Sequence, residues 1–161
     1  MARAARWQKF LQRLAALAPI SWLFARTLHY IDRPLLQWSR GRWCLASSVA
    51  GLPMVMLTTI GAKTGQPRTT PLVGLVDGDK VILIASYYGS AHHPAWYHNL
   101  RAHPEAQLTW RGRAQTYLAR EVKGEAYARY WQLAVETYAG YAAYKQRAGQ
   151  RRIPIIMLTP Q

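Results

Sequence analysis

Two periodicities divide this chain. Trp7, Phe10, Leu11, Leu14 and Leu17 recur at helical spacing, with Arg3, Arg6, Lys9 and Arg13 elsewhere around the turn. Pro19 ends that helix. A second apolar series, Phe24, Leu28, Ile31, Leu35 and Trp38, advances by fours and threes; Asp32 ahead of Arg33-Pro34 caps a helical restart. From Pro53 the pattern shortens to strands. Val55 to Ile60 is one, and Arg68 to Val76 the next, with Asp77-Gly78-Asp79 as a hairpin turn. Val81 to Ser86 reads as a buried strand, followed by the loop Tyr87-Tyr88-Gly89-Ser90.

Pro94 opens a short helix that ends near His103-Pro104. Ala106 to Trp110 and Ala114 to Glu121 form a hairpin around Gly112. Gly124 to Tyr138 and Tyr141 to Ala148 are helical, and Ile153 to Leu158 is a closing strand. About six strands with short helices between them predict an α+β chain built on a small antiparallel barrel, not a doubly wound sheet. The expected division is a basic amphipathic helical extension over 1–45 and a barrel domain over 46–161.

Charge sharpens this picture. Lys and Arg total 21 against 7 Asp and Glu, a formal balance of +14. Eight of the cations and one acid lie in residues 1–43. So strong a bias points to acidic partners: nucleic acid, anionic lipid or a polyanionic small molecule. No helix-turn-helix, RNA-recognition or zinc-finger signature accompanies it, which argues against nucleic acid. Cys44 stands alone, so no internal disulfide forms, in keeping with a reducing cytoplasm. Lys9 and Arg13 interrupt the first apolar run, which excludes it as a spanning segment and argues against a cleaved signal.

Candidate chemistry concentrates at GAKTGQPR, Gly61 to Arg68. A hairpin tip with Lys63, Thr64, Gly65 and Arg68 can hold a phosphate or carboxylate through two cations and backbone amides. It is not a Walker A loop, because the Gly-x4-Gly-Lys order is missing. The plainer alternative is a solvated basic hairpin. Five histidines are present, but no H-E-x-x-H pattern or Cys pair, and no metal site is expected. No Gly-x-Ser-x-Gly elbow occurs either.

Leu57 to Arg68, Pro71-Leu72, Ala85-Ser86, Pro94 to Leu100 and Ile153-Pro154-Ile155 occur in this order across residues 50–160. Together they resemble the deazaflavin-dependent nitroreductases of actinobacteria. The resemblance implies a split β-barrel like that of FMN-binding oxidases. It implies the 8-hydroxy-5-deazaflavin coenzyme F-420 as hydride carrier, and a quinone or nitroaromatic as acceptor. It implies coenzyme contacts at Lys63, Thr64, Gly65, Arg68, Pro71, Ala85, Ser86, Tyr87, Ala95, Trp96 and Asn99. Trp96 and Asn99 are three apart and would share one helical face. Their plainer alternative is Trp96 and Leu100 in the core and Asn99 at the surface.

Tyr138, Tyr141 and Tyr144 step by three, and in such relatives tyrosines here shape the acceptor pocket. They are the candidate catalytic groups, Tyr141 first, as hydrogen-bond or proton donors to a reduced oxygen. The alternative is an aromatic core stripe continuing from Tyr127, Tyr130 and Trp131. Gly140 predicts a bend in this wall. The chain departs from the family's pattern at Ala62, Tyr87 and His93, which removes charge from the coenzyme-tail site; Arg101, Arg111 and Arg113 either compensate or are ordinary surface charges.

Rival readings are an FMN oxidoreductase on the same barrel and a non-catalytic deazaflavin carrier. The basic N-terminus is expected either to lie on an anionic membrane at the cytoplasmic face or to pack on the barrel or in a homodimer contact.

Overall fold

A computed structural model describes residues 52–110 and 112–161. The expected extension over 1–45, Cys44 and Arg111 lie outside the described residues. β1 (Met54–Ile60) and β2 (Pro67–Asp77) form a hairpin in antiparallel register from Met54 opposite Val73 to Ile60 opposite Pro67. Asp77 opposite Lys80 closes the next hairpin onto β3 (Lys80–Ile84). Gly78 takes φ +65 in that two-residue turn, a left-handed conformation that glycine adopts without steric cost.

The chain then crosses through helix α1 (Ala95–Ala102) to β4 (Glu105–Trp110) and β5 (Arg113–Glu121). Helices α2 (Gly124–Thr137) and α3 (Gly140–Arg147) follow, and β6 (Ile155–Pro160) ends the chain. The strands close in the order β1-β2-β3-β6-β5-β4, with β4 paired back to β1. β6 supplies the closure, inserting antiparallel between β3 and β5. Closure removes the open edges that a six-stranded sheet would otherwise expose.

Strand alternation sorts the apolar residues into two cores. Val55, Leu57, Val81, Leu83, Leu108, Ile156 and Leu158 meet in one, and α1 adds Trp96, Tyr97 and Leu100. The opposite faces of β3 and β6 send Ile82, Ile84 and Ile155 against Tyr130, Ala134, Tyr138, Tyr141 and Tyr144 of the helical side. β3 is therefore buried on both faces, which is why Val81 to Ala85 carries no polar alternation. The barrel, its strand order in sequence and its helices agree with the elements read from the pattern, with ends shifted by one or two residues.

The break between α2 and α3 falls at Gly140 as the pattern predicts, but Tyr138, read as the last helical residue, lies just past the helix: α2 stops at Thr137, and Tyr138 is extended at φ −146, ψ 104. The reason is local. A Cβ at Gly140 would collide with the Tyr138 ring, so the absent side chain makes the space that ring occupies. Gly140→Ala is expected to destabilise the fold by about 1–3 kcal/mol through overpacking, and to be nearly neutral once Tyr138→Ala empties the space. Thermal melts of the two single variants and the double variant check this.

Candidate functional site

The β1–β2 tip is a tight turn with an outward-facing cationic surface. Gly61 donates to the Gln66 carbonyl at 2.9 Å, while Thr64 and Gly65 donate their amides to the Gly61 carbonyl at 3.2 and 2.8 Å. Gly65 sits at φ +66 with open space around it. This corrects the expectation that the Thr64 and Gly65 amides face a ligand: they close the turn instead. Lys63, Thr64 and Arg68 are all exposed at the tip.

Asn99 anchors this tip to α1. Its Oδ1 accepts from the Ala62 amide at 3.0 Å, and its Nδ2 donates to Thr59 Oγ1 at 3.0 Å. Thr59 is 1% exposed and Asn99 8%, so the Thr59 end of the link is buried, while its Ala62 end sits at the exposed tip. Asn99 is not the surface residue of the plainer alternative. Trp96 shares its buried face and belongs to the barrel core, whereas Ala95, at the start of the helix, is exposed.

The second piece is the connection from β3 to α1. Ala85 and Ser86 are buried, Pro71 on β2 is half-buried, and Tyr87 is exposed. Sequence reasoning missed the residue that shapes this connection, Arg151. Its guanidinium donates to the carbonyls of Ser90, Ala85 and Ser86 at 2.7, 3.3 and 2.6 Å. It also lies 3.1 Å from His93 Nδ1. Its signal in the sequence was weak: an arginine two residues before the buried Ile153 of the closing segment. Burial, and then the nearby Arg151 charge, hold the His93 imidazole below its ordinary pKa. A neutral ring can accept from the guanidinium at Nδ1. The His93 ring is tilted against Tyr97 at 4.9 Å, and Tyr97 donates to Glu121 at 2.9 Å.

The third piece is the tyrosine cluster. Tyr138, Tyr141 and Tyr144 are buried and pack edge-on or tilted at centroid distances of 5.5–6.0 Å. The Tyr138 and Tyr144 hydroxyls share a hydrogen bond of 3.1 Å. Burial pushes all three phenols above their ordinary pKa, Tyr141 and Tyr144 most strongly. They stay protonated at neutral pH and so remain hydrogen-bond donors. Tyr88, at the β3–α1 connection, meets Tyr144 edge-on at 5.9 Å.

The tip, α1, the β3–α1 connection and α3 thus form one chain of contacts, joined by Asn99, His93–Tyr97 and Tyr88–Tyr144. The cations named as compensation are placed unevenly. Arg101 stands 6.0 Å over the Tyr97 ring, near the connection, and Arg113 is exposed at the start of β5 opposite Trp110.

The family model for F420H(2)-dependent quinone reductase matches residues 38–160. An F420H(2)-dependent quinone reductase of Mycobacterium tuberculosis is 40% identical over 110 residues, which cover 66% of this chain and 73% of that protein. Among solved structures, an F420-H2 dependent reductase, FDR-A, superposes with a TM-score of 0.61 at 36% identity, covering 66% of this chain and 93% of that one. Another, described as a domain-swapped dimer, gives a TM-score of 0.63 at 31% identity over 88% of this chain and 99% of its own. A family match across most of the sequence, on a closed six-stranded barrel whose matched segments converge, places this chain in the F420H(2)-dependent quinone reductase family.

Proposed function

We propose that this protein is an oxidoreductase that passes a hydride from the reduced 8-hydroxy-5-deazaflavin coenzyme to a quinone, with nitroaromatics as secondary acceptors. The observation that carries this reading is the family match over residues 38–160. The chain's own residues fit the coenzyme, whose phosphodiester, lactyl carboxylate and glutamates are all anionic. Exposed Lys63 and Arg68 flank a rigid turn at the barrel rim, where they can meet those anions without a buried charge. Pro71, Ala85, Ser86 and Tyr87, with Ala95 and Trp96 of α1, would border the ring and its linker. Asn99 would act by fixing the tip on which the cations stand.

When bound, the coenzyme supplies the hydride. The protein's share is to orient two flat partners and exclude water. Tyr141 and Tyr144 would donate hydrogen bonds to the acceptor oxygen that gains charge, with Tyr138 holding Tyr144 in place through their paired hydroxyls. Their raised pKa makes solvent the net proton source and the phenols orienting donors. Tyr141→Phe is expected to lower kcat with a quinone about tenfold and to leave coenzyme affinity unchanged. Unchanged acceptor kinetics would remove Tyr141 from this role.

The decisive experiment is fluorescence titration of the purified protein with oxidised deazaflavin coenzyme, with FMN in parallel. Micromolar binding of the deazaflavin alone, with quinone turnover, is expected. Binding of FMN instead moves the chain to the rival oxidoreductase chemistry. Tight deazaflavin binding without turnover on a broad acceptor panel makes it a carrier.

Residues 1–45 would form a separate extension that lies on an anionic membrane at the cytoplasmic face, within reach of a lipid-soluble quinone. Eight cations against one acid over residues 1–43, on an amphipathic pattern, support this. Among the described residues no helix is long and apolar enough to cross a membrane. Deleting residues 1–43 should abolish liposome binding and spare turnover of soluble acceptors. A homodimer is supported by the likeness to the domain-swapped dimer.

A further inference from the structure

Three consecutive residues after Ser86 are left-handed: Tyr87 at φ 46, Tyr88 at φ 56 and Gly89 at φ 81. Gly89 needs to be glycine, since a Cβ there would stand 2.7 Å from both the Tyr144 carbonyl oxygen and the Arg147 Cβ. The two tyrosines have no such need. Left-handed backbone is disfavoured for bulky L-residues because Cβ crowds the following carbonyl.

Such a conformation persists only where its surroundings over-determine it, and it tends to mark function. Here the surroundings are specific. Gly89 donates to the Ser86 carbonyl at 3.0 Å, and Ser90 to that of Tyr87 at 2.9 Å. The Arg151 guanidinium grips the carbonyls of Ala85 and Ser86 on one side of the turn and of Ser90 on the other. One buried-side cation therefore clamps both ends, and α3 closes the floor beneath Gly89.

The clamped turn puts two aromatic rings into solvent. Tyr87 is 49% and Tyr88 40% exposed, while Tyr138, Tyr141 and Tyr144 are each under 10%. Tyr88 meets Tyr144 edge-on, which makes it the solvent-side end of the tyrosine cluster. The face of a phenol ring is electron-rich and complements a flat, electron-poor ring.

We propose that Tyr88 is a specificity-determining residue for the acceptor: the left-handed turn, clamped by Arg151 as its positioning residue, holds the Tyr88 ring as an outer wall on which a flat quinoid ring stacks. This rests on the quinone-reductase reading above. Tyr88→Gly is the informative variant, because glycine accepts φ near +56 and the fold is retained.

Its melting temperature is expected to equal or exceed that of the parent, and its KM for a soluble naphthoquinone to rise about tenfold. Its kcat and its Kd for oxidised deazaflavin are expected to stay within about twofold. Tyr88→Phe should retain the parental KM. Arg151→Lys, which cannot span three carbonyls, should raise KM in the parent and leave it unmoved in Tyr88→Gly. A parental KM in Tyr88→Gly overturns the proposal, as does an equal loss of deazaflavin affinity, which would assign the ring to the coenzyme.

Naphthoquinone binding to coenzyme-free protein, followed by saturation-transfer NMR, separates this from failure of the underlying reading. If the parent binds no deazaflavin, binding of the naphthoquinone that Tyr88→Gly loses still supports the wall. Unchanged binding in the variant, or none in the parent, overturns it.

Discussion

Asn99→Ala is expected to lower unfolding free energy by about 2–3 kcal/mol, which corresponds to a fall of about 5–10 °C in melting temperature. The side chain spans two elements that no strand pairing connects: the β1–β2 tip at Ala62 and the start of that tip at Thr59 both bond to α1 through it. Its loss leaves the Ala62 amide unpaired and empties space beside a threonine that is 1% exposed. The buried Thr59 hydroxyl loses the amide that donates to it and carries a desolvation penalty that exceeds the net worth of an ordinary hydrogen bond, whereas the Ala62 amide, at the exposed tip, is open to water. Because the tip then moves independently of α1, coenzyme affinity should fall with stability. Thr59→Val removes the second partner, and a double-mutant cycle of the two should show coupling of about 1 kcal/mol. Two additive variants with parental coenzyme affinity would leave Asn99 with a packing role only.

Lys63→Ala and Arg68→Ala should have the opposite signature. Both side chains are exposed, and Arg129–Asp77 is the ion pair recorded among the described residues, so neither tip cation supports the fold through one. Melting temperatures should stay within about 1 °C of the parent. Deazaflavin affinity should drop about tenfold for each variant and about hundredfold for the pair, the scale of one charge-assisted contact apiece at a wet surface. The parental affinity should weaken with added salt, and the double variant should lose most of that dependence. Fluorescence titration at low and moderate ionic strength reads both effects. Full affinity in the double variant would falsify the tip as the anion site and leave a solvated basic hairpin.

Much of the architecture was legible because the barrel obeys local rules. The apolar opening of β1 and the doubly apolar run of β3 follow from burial in the barrel. The Asp-Gly-Asp turn and the Gly-rich tip have backbone needs that few residues meet. Family membership was legible as well, since the segments that carry it keep their order. Harder to read were features in which one side chain acts on distant backbone. Arg151 contacts carbonyls more than 60 positions away, and no spacing rule links it to them. Tyr138 read as the last residue of its helix, whereas it lies just past α2 with its ring in the space that Gly140 leaves open.

The sequence by itself determined the strand and helix order, the basic balance and the family, because periodicity, turn chemistry and motif order are properties of neighbours along the chain. Only the tertiary structure decided that Asn99 is a buried strut, that the Thr64 and Gly65 amides close their own turn, and that Arg151 holds two tyrosines in a left-handed turn. Each of these depends on which polar groups meet once the barrel has closed, and a buried polar group takes whatever partner lies within about 3 Å of it.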